Sequence, residues 1–522
     1  MNRRDLLISA GLAPFALQAM SRWSVALAQD GSRIFTLANP TGFPDLDPST
    51  SFSNDGLVLA NIYETLTRYV PGTADAPATV APLLAESWQA SDDGMIWTFK
   101  LRQGVKFHDG AELTAEAVKG SIDRTMQIGG GASFIWSAVT AITAPDAQTV
   151  VFTLSSAQPL DLIASAGFAG WIISPAALEK DNAWFNAGND GGTGPFRIDR
   201  YEPGQRVVAT RFADYWGGTP EAGFDTAVFE VVEDSVLAQS MIESGSADWT
   251  YNLPFDNLDG LQANPELQVV ANPSFENLFA LLNTRRAPLD RPRVRQALAL
   301  AFPYDDVIAA GTAGLGTRSR GILPPGIWGH DPDAPMVMTD LEAARAILAE
   351  EGLAKTGLEL TLTYVTSDAL EALAGELWKA NLETLGITLI LQPMSWEAMW
   401  ELSKADPGQA QDILLLYWWA TYVTPYDYLL NIFHSEESPI FNLAYYSNPA
   451  FDKLIDEAAA LSGTDRAKAE EMFKTAQRMV IEDAPAVFIL DKPNVHILRS
   501  DVKGYADNPA YGHVVFVNDL SR

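Results

Sequence analysis

The strongest candidate for binding chemistry in this chain is the aromatic cluster Tyr417-Trp418-Trp419-Ala420-Thr421-Tyr422, followed by Pro425, Tyr426 and Tyr428. Large aromatic faces are costly to expose, so such a cluster either fills a core or stacks on a ligand. Neighbours on a strand face opposite ways, and about half of these rings are therefore expected inside. The five histidines are His108, His330, His434, His496 and His513. No two lie at metal-ligand spacing, so no protein metal site is expected. Neither a GxSxG nucleophile elbow nor a GxxxxGK[ST] phosphate loop occurs. The stretch from Gly188 to Gly194 is glycine-rich but lacks the lysine of a nucleotide cradle. Acids and serines are plentiful, yet nothing pairs them. No catalytic residue and no cofactor is expected, and an enzyme reading rests only on the existence of a cleft.

The elements that would hold such residues are legible in places. From Pro82 to Val118, Ser91-Asp92-Asp93-Gly94 is a turn cluster, and Trp97, Phe99 and Leu101 alternate with polar residues as a half-buried strand. His108-Asp109-Gly110 reads as a second turn, in which His108 makes a structural hydrogen bond. Thr114 is placed to cap the next helix, with Leu113 and Val118 as a hydrophobic staple. Val207–Thr210 and Ala227–Val232 are short β-rich segments. Pro292 suits the first turn of a helix with Val294, Ala297, Leu298 and Ala301 inside. Thr339 and Glu342 predict a capping box, with Leu341, Ala344 and Leu348 inward and Gly352 at the helix end. Strand, helix, strand follow from Leu358 to Leu391. The pattern means α/β lobes.

At 522 residues, with 47% hydrophobic and 19% charged, the chain is globular and too long for one core. The N-terminus carries Arg3-Arg4, an apolar stretch and Ala26-Leu27-Ala28. That predicts a twin-arginine export signal over residues 1–28, with a general secretory signal as the alternative. With no cysteine there is no disulfide and no lipid anchor on a cysteine, and the expected address is the periplasm. A formal charge of −31 excludes nucleic acid as a natural partner.

The segment from Pro82 to Val118 resembles the signature of the extracytoplasmic solute-binding proteins of ABC transporters, in the group that takes peptides, opines and nickel. Leu46-Asp47-Pro48, Ile62-Tyr63-Glu64-Thr65-Leu66, Gly192-Thr193-Gly194-Pro195-Phe196, Tyr215-Trp216 and Arg293-Val294-Arg295-Gln296-Ala297-Leu298 resemble further landmarks of that family, in order. The resemblance covers nearly the whole mature chain. It implies a two-lobed α/β periplasmic binding protein fold with an interlobe cleft and an extra β-rich subdomain in lobe one. Lobe one would comprise residues 29–60, 186–282 and 490–522, the insert 61–185 and lobe two 283–489. It also implies a monomer that binds a peptide or small molecule and docks on a membrane permease served by a separate ATPase.

By that resemblance, Trp418 and Trp396 match pocket tryptophans, Phe52-Ser53-Asn54 matches a lobe-one segment that touches ligand, and Thr193 lies in a loop near the cleft. Thr421 and Tyr422 complete the expected ligand set. The departure is Thr421, where peptide binders carry an aspartate for the ligand's α-amino group. A buried ammonium without a partner anion costs several kcal/mol, so a free-amine peptide is disfavoured unless Asp427 substitutes. A sugar-containing or opine-like conjugate suits aromatic faces beside neutral hydrogen-bonding groups. A chelated metal would need a histidine or arginine facing the aromatics.

Overall fold

Two long strands, Leu267–Leu282 and Ala486–Arg499, tie the halves of the molecule together in a computed structural model. It describes residues 32–52, 54–72, 77–251, 253–354 and 356–522. The expected export signal and Ser53 lie outside the described residues. The two strands pair antiparallel from Leu267 opposite Arg499 to Leu281 opposite Ala486, and the ladder breaks between Pro273 and Asn277. Pro273 faces Pro493 there. Neither ring has an N–H to donate, so the ladder cannot run on through this point. Side chains take up the freed carbonyls. Ser274 Oγ donates to the Lys492 carbonyl at 2.5 Å, and Tyr428 Oη to that of Phe275 at 2.5 Å.

On one side of the break, Ile34–Asn39 runs parallel to Thr226–Val231 and to Trp249–Tyr251, the last of which pairs with Ala486–Arg499. Arg206–Arg211 and Phe196–Glu202 extend this lobe antiparallel. On the other side Ile413–Trp418 joins Leu267–Leu282 antiparallel, and Glu359–Val365 lies parallel to it and to Thr388–Met394. The helix Ala369–Thr384 makes the crossover between the latter two strands. The outcome is a two-lobed α/β fold whose lobes share one 11-stranded sheet among the described residues. A separate sheet of Ala85–Ala90, Ile96–Leu101, Thr149–Leu154 and Val139–Asp146 is β-rich and packs on the helix Ala115–Ile128.

Local readings hold where the signal is local. Trp97, Phe99 and Leu101 are buried and Lys100 is exposed. Thr114 caps its helix by accepting from Ala117 N, with Leu113 and Val118 buried. Pro292 opens its helix, and Val294, Ala297, Leu298 and Ala301 are all inside. The capping box needs correction. Asp340, not Thr339, caps Leu341–Glu350, with its Oδ1 accepting from Ala343 N at 2.9 Å. Thr339 instead donates to the Phe302 carbonyl at 2.5 Å. The helix begins one residue later because the aspartate is the better acceptor for the free amides of its first turn. Leu341 is correspondingly only half-buried.

Among the described residues no helix is long and apolar enough to cross a membrane.

Candidate functional site

Strand direction locates the cleft. In lobe one the parallel strands end at Asn39, Val231 and Tyr251, and in lobe two at Val365, Met394 and Trp418. Tyr251 pairs with His496 and Trp418 with Asn277, residues that flank the broken part of the long ladder on its two sides. Both sets of carboxyl ends therefore point at the crossover, which is where open α/β sheets take ligands.

Most of the expected aromatic residues meet there. Phe52 packs edge-on against Phe168 (5.3 Å between centroids) and Phe134 (6.1 Å). Phe134 reaches Phe441 of the other lobe at 6.1 Å. Phe441 in turn lies against Trp418 at 5.3 Å and Trp400 at 5.8 Å, and Trp400 stacks on Trp396 at 5.2 Å. An unbroken run of rings thus links the two lobes. Trp396 is 44% exposed at the start of the helix Trp396–Ser403, which Ser395 caps through Ala398 N. Trp418 is only 9% exposed, and its indole N–H meets no acceptor among the described residues. A buried donor left in that state costs about 1–3 kcal/mol, and the indoles of Trp171, Trp249 and Trp328 share it. Trp419 is 45% exposed and Tyr417 faces the opposite side of the sheet from Trp418. The split between core and surface follows strand alternation. Asn54 is exposed beside Phe52.

The crossover itself carries charge that the sequence reading did not single out. Lys492 Nζ lies 3.2 and 3.3 Å from the two carboxylate oxygens of Glu276 and 4.9 Å from the centre of the Tyr417 ring. Tyr417 Oη donates to Asp368 Oδ1 at 3.2 Å. Near the same spot His513 stacks on Tyr251 at 4.3 Å, with Nε2 3.9 Å from Glu276. Burial, with Lys492 and His496 adding to it, lowers the His513 imidazole well below its usual range, so the ring is neutral. Burial and the neighbouring Asp368 push Glu371 up to about 8. Proline on both long strands was the available signal for this region. Trp400, four residues after Trp396, was legible as a same-face helical pair.

Three expected residues are committed to the protein itself. Thr193 is fully buried and donates to Glu64 Oε2 at 2.8 Å. Tyr422 packs in the core of the inserted sheet, where it lines a small cavity with Pro159. Thr421 is 4% exposed, and its amide donates to Asp427 Oδ2 at 3.0 Å. Asp427 has no exposed surface, and its other oxygen accepts from Asn431 Nδ2 at 3.0 Å. Burial pushes its carboxyl up to about 8, so at neutral pH it is largely uncharged. Its two oxygens are thus both engaged within its own lobe. The physical reason is shared: each of these side chains lies in a turn folded back on its own lobe or on the insert.

The glycine loop is also structural. A Cβ on Gly192 would fall 1.9 Å from the Ile62 carbonyl oxygen, so only glycine allows this approach. His108 sits beside it, with Nδ1 2.5 Å from Asp190 and Nε2 2.9 Å from the Gly194 carbonyl. That is the structural hydrogen bonding expected of the turn. Among the described residues no three His, Cys, Asp or Glu side chains are grouped to hold a metal ion.

Comparison with known proteins places this geometry among relatives. The model of bacterial extracellular solute-binding proteins, family 5 middle, matches residues 79–439. The chain is 29% identical over 514 residues to the probable D,D-dipeptide-binding periplasmic protein DdpA of Escherichia coli K12, covering 97% of this chain and 98% of that one. It is 28% identical over 532 residues to the glutathione-binding protein GsiB of the same strain, at 98% and 97% coverage. Among solved structures, the periplasmic binding protein DppA from Helicobacter pylori in complex with peptide STSA has a TM-score of 0.80 at 23% identity, covering 95% and 99%. MoaA of A. tumefacien R10 in complex with mannopinic acid has a TM-score of 0.78 at 25% identity, covering 94% and 99%.

Proposed function

Because the chain belongs to the bacterial extracellular solute-binding proteins, family 5, we propose that it is the periplasmic receptor of an ABC importer for a peptide or a polar solute of similar size. The observation that carries this reading is the run of rings from Phe52 through Phe134 to Phe441, Trp418 and Trp396, which spans both lobes at the strand ends. A ligand gripped there touches both lobes at once, so it stabilises the closed arrangement over the open one. The ligand set is Phe52, Ser53, Asn54, Trp396 and Trp418, joined by Phe134, Trp400 and Phe441. The hinge is the proline-broken stretch of the two long strands, and the lobe boundaries of the sequence reading are kept around it. The chain reaches the periplasm by its twin-arginine signal and hands ligand to a permease driven by a separate ATPase. It works as a monomer and performs no turnover.

Relatives bind a D,D-dipeptide or glutathione by name, and a neighbour of similar fold holds mannopinic acid. The loss of the aspartate at Thr421, with Asp427 buried and uncharged, supports an opine-like or otherwise amine-masked ligand over a free-amine peptide. Native mass spectrometry of the protein taken from its own periplasm tests the proposal. The expected result is a tightly held solute recovered chemically unchanged. Conversion of a substrate library, with no solute shifting the melting temperature, overturns it.

A further inference from the structure

The acids beside the crossover have partners: Asp491 accepts from Ser319 Oγ at 2.6 Å and Asp507 from Asn494 Nδ2 at 2.7 Å. Asp427 is engaged by Thr421 and Asn431. Asp368 accepts from Tyr417 Oη and from the amide of Glu371, and Glu371 accepts from Val365 N. Glu276 holds the ammonium of Lys492 against both of its oxygens. That ammonium has the surroundings a receptor gives a ligand amine: a carboxylate in contact and an aromatic face at 4.9 Å. Lys492 is thus a tethered amine in an amine-binding cage. Its side chain is 19% exposed and that of Glu276 15%. An ammonium has three donors and no acceptor, and Glu276 occupies one side of it.

We propose that Lys492 sets the charge of the ligand, occupying the amine position itself and turning its remaining N–H donors to a ligand carboxylate, so that the preferred solute is an acid whose amino group is acylated, alkylated into a conjugate or absent. This rests on the receptor function proposed above and adds the substrate class. The neutral His513 at 3.9 Å from Glu276 contributes no competing charge. A ligand ammonium at this spot meets Lys492 as a like charge and finds Glu276 taken, whereas a carboxylate meets an unexhausted cation. Tyr417, fixed by its bond to Asp368, faces the Lys492 ammonium from the lobe-two side.

The test uses the full mature chain and matched probes: dipeptides, their N-acetyl derivatives and their C-terminal amides, pooled and read by native mass spectrometry, then titrated calorimetrically. Binding of N-acetyl acids at least tenfold tighter than of the amides is expected, with free-amine acids no tighter than the N-acetyl ones. Lys492→Met should weaken the N-acetyl acids at least tenfold and leave the amides within twofold. Lys492→Arg, which keeps the charge and guards against a merely structural loss, should restore at least part of that. Glu276→Gln, which leaves the ammonium unneutralised, should tighten the acids. Amides binding as well as acids, or Lys492→Met leaving the acids untouched, overturns the assignment while the receptor stands. If no member of the pool and no opine or sugar conjugate binds any of the proteins, the receptor reading falls and takes this one with it.

Discussion

The glycine loop in lobe one and the strand crossover between the lobes both bring backbone close to buried carboxylates, and they differ in what is left over. At the loop, Glu64 receives Thr193 Oγ1 at 2.8 Å, Trp216 Nε1 at 2.9 Å and Tyr215 Oη at 3.0 Å. His108 has an oxygen at each nitrogen. At the crossover the Trp418 indole N–H and His513 Nδ1 are buried without partners among the described residues, and a lysine stands with donors to spare. A sealed polar network is scaffold, because every group in it already has the hydrogen bond that a ligand would have to replace. An unfinished one is where binding free energy can be gained. The family landmarks Glu64, Thr193 and Trp216 belong to the first kind, and the residues proposed to meet ligand to the second.

That contrast can be broken by substitution. The largest effect is expected from Gly192→Ala, since the added methyl meets the Ile62 carbonyl oxygen at 1.9 Å. A loss on the order of 3 kcal/mol should show as an earlier urea midpoint. A variant as stable as the parent would mean that the loop is not sealed. Next, Thr421→Asp places a second carboxyl against Asp427, and a loss of about 2 kcal/mol of stability is expected instead of a selective loss of ligand. Unchanged melting with weakened binding would move Thr421 back into the cleft. Trp396→Ala is the converse case. Because the ring is 44% exposed, its removal should leave melting nearly unchanged while ligand affinity falls about tenfold, near 1.4 kcal/mol.

The smallest effect, at acid pH, is expected from Asp427→Asn. The folded carboxyl titrates at about 8 and the unfolded one near 4. The folded state therefore holds its proton more tightly, and the stability this confers is complete below about pH 4 and lost as pH rises towards 8. Asparagine does not titrate, so the variant should gain on the parent steadily across that window in melting runs at fixed pH. A difference independent of pH would show that Asp427 is ionised in the folded chain and available to a cation.

How much of this was legible depended on range. Thr114, Pro292 and the Trp97–Leu101 alternation report interactions within one helical turn or one strand, and the structure has each where its spacing put it. The cap at Asp340 was missed by one residue because two good N-cap residues stand side by side, and the Thr339 hydroxyl, given to the Phe302 carbonyl, leaves the first turn to the better acceptor. Within the expected ligand set, Phe52, Trp396 and Trp418 share one aromatic run, but Thr193 and Tyr422 do not. Adjacency in sequence carried Tyr422 into the set with Trp418, and the turn between them sends the two rings to different cores.

The sequence by itself determined the α/β lobes and the family, since composition, short-range periodicity and ordered motifs are properties of the chain read in line. Tertiary structure alone decided that Asp427 is sealed away, and that Lys492 meets Glu276 across a separation of 216 residues. Polar complementarity between distant strands depends on their register. No local pattern encodes which side chain will stand opposite another once Pro273 and Pro493 have broken the ladder.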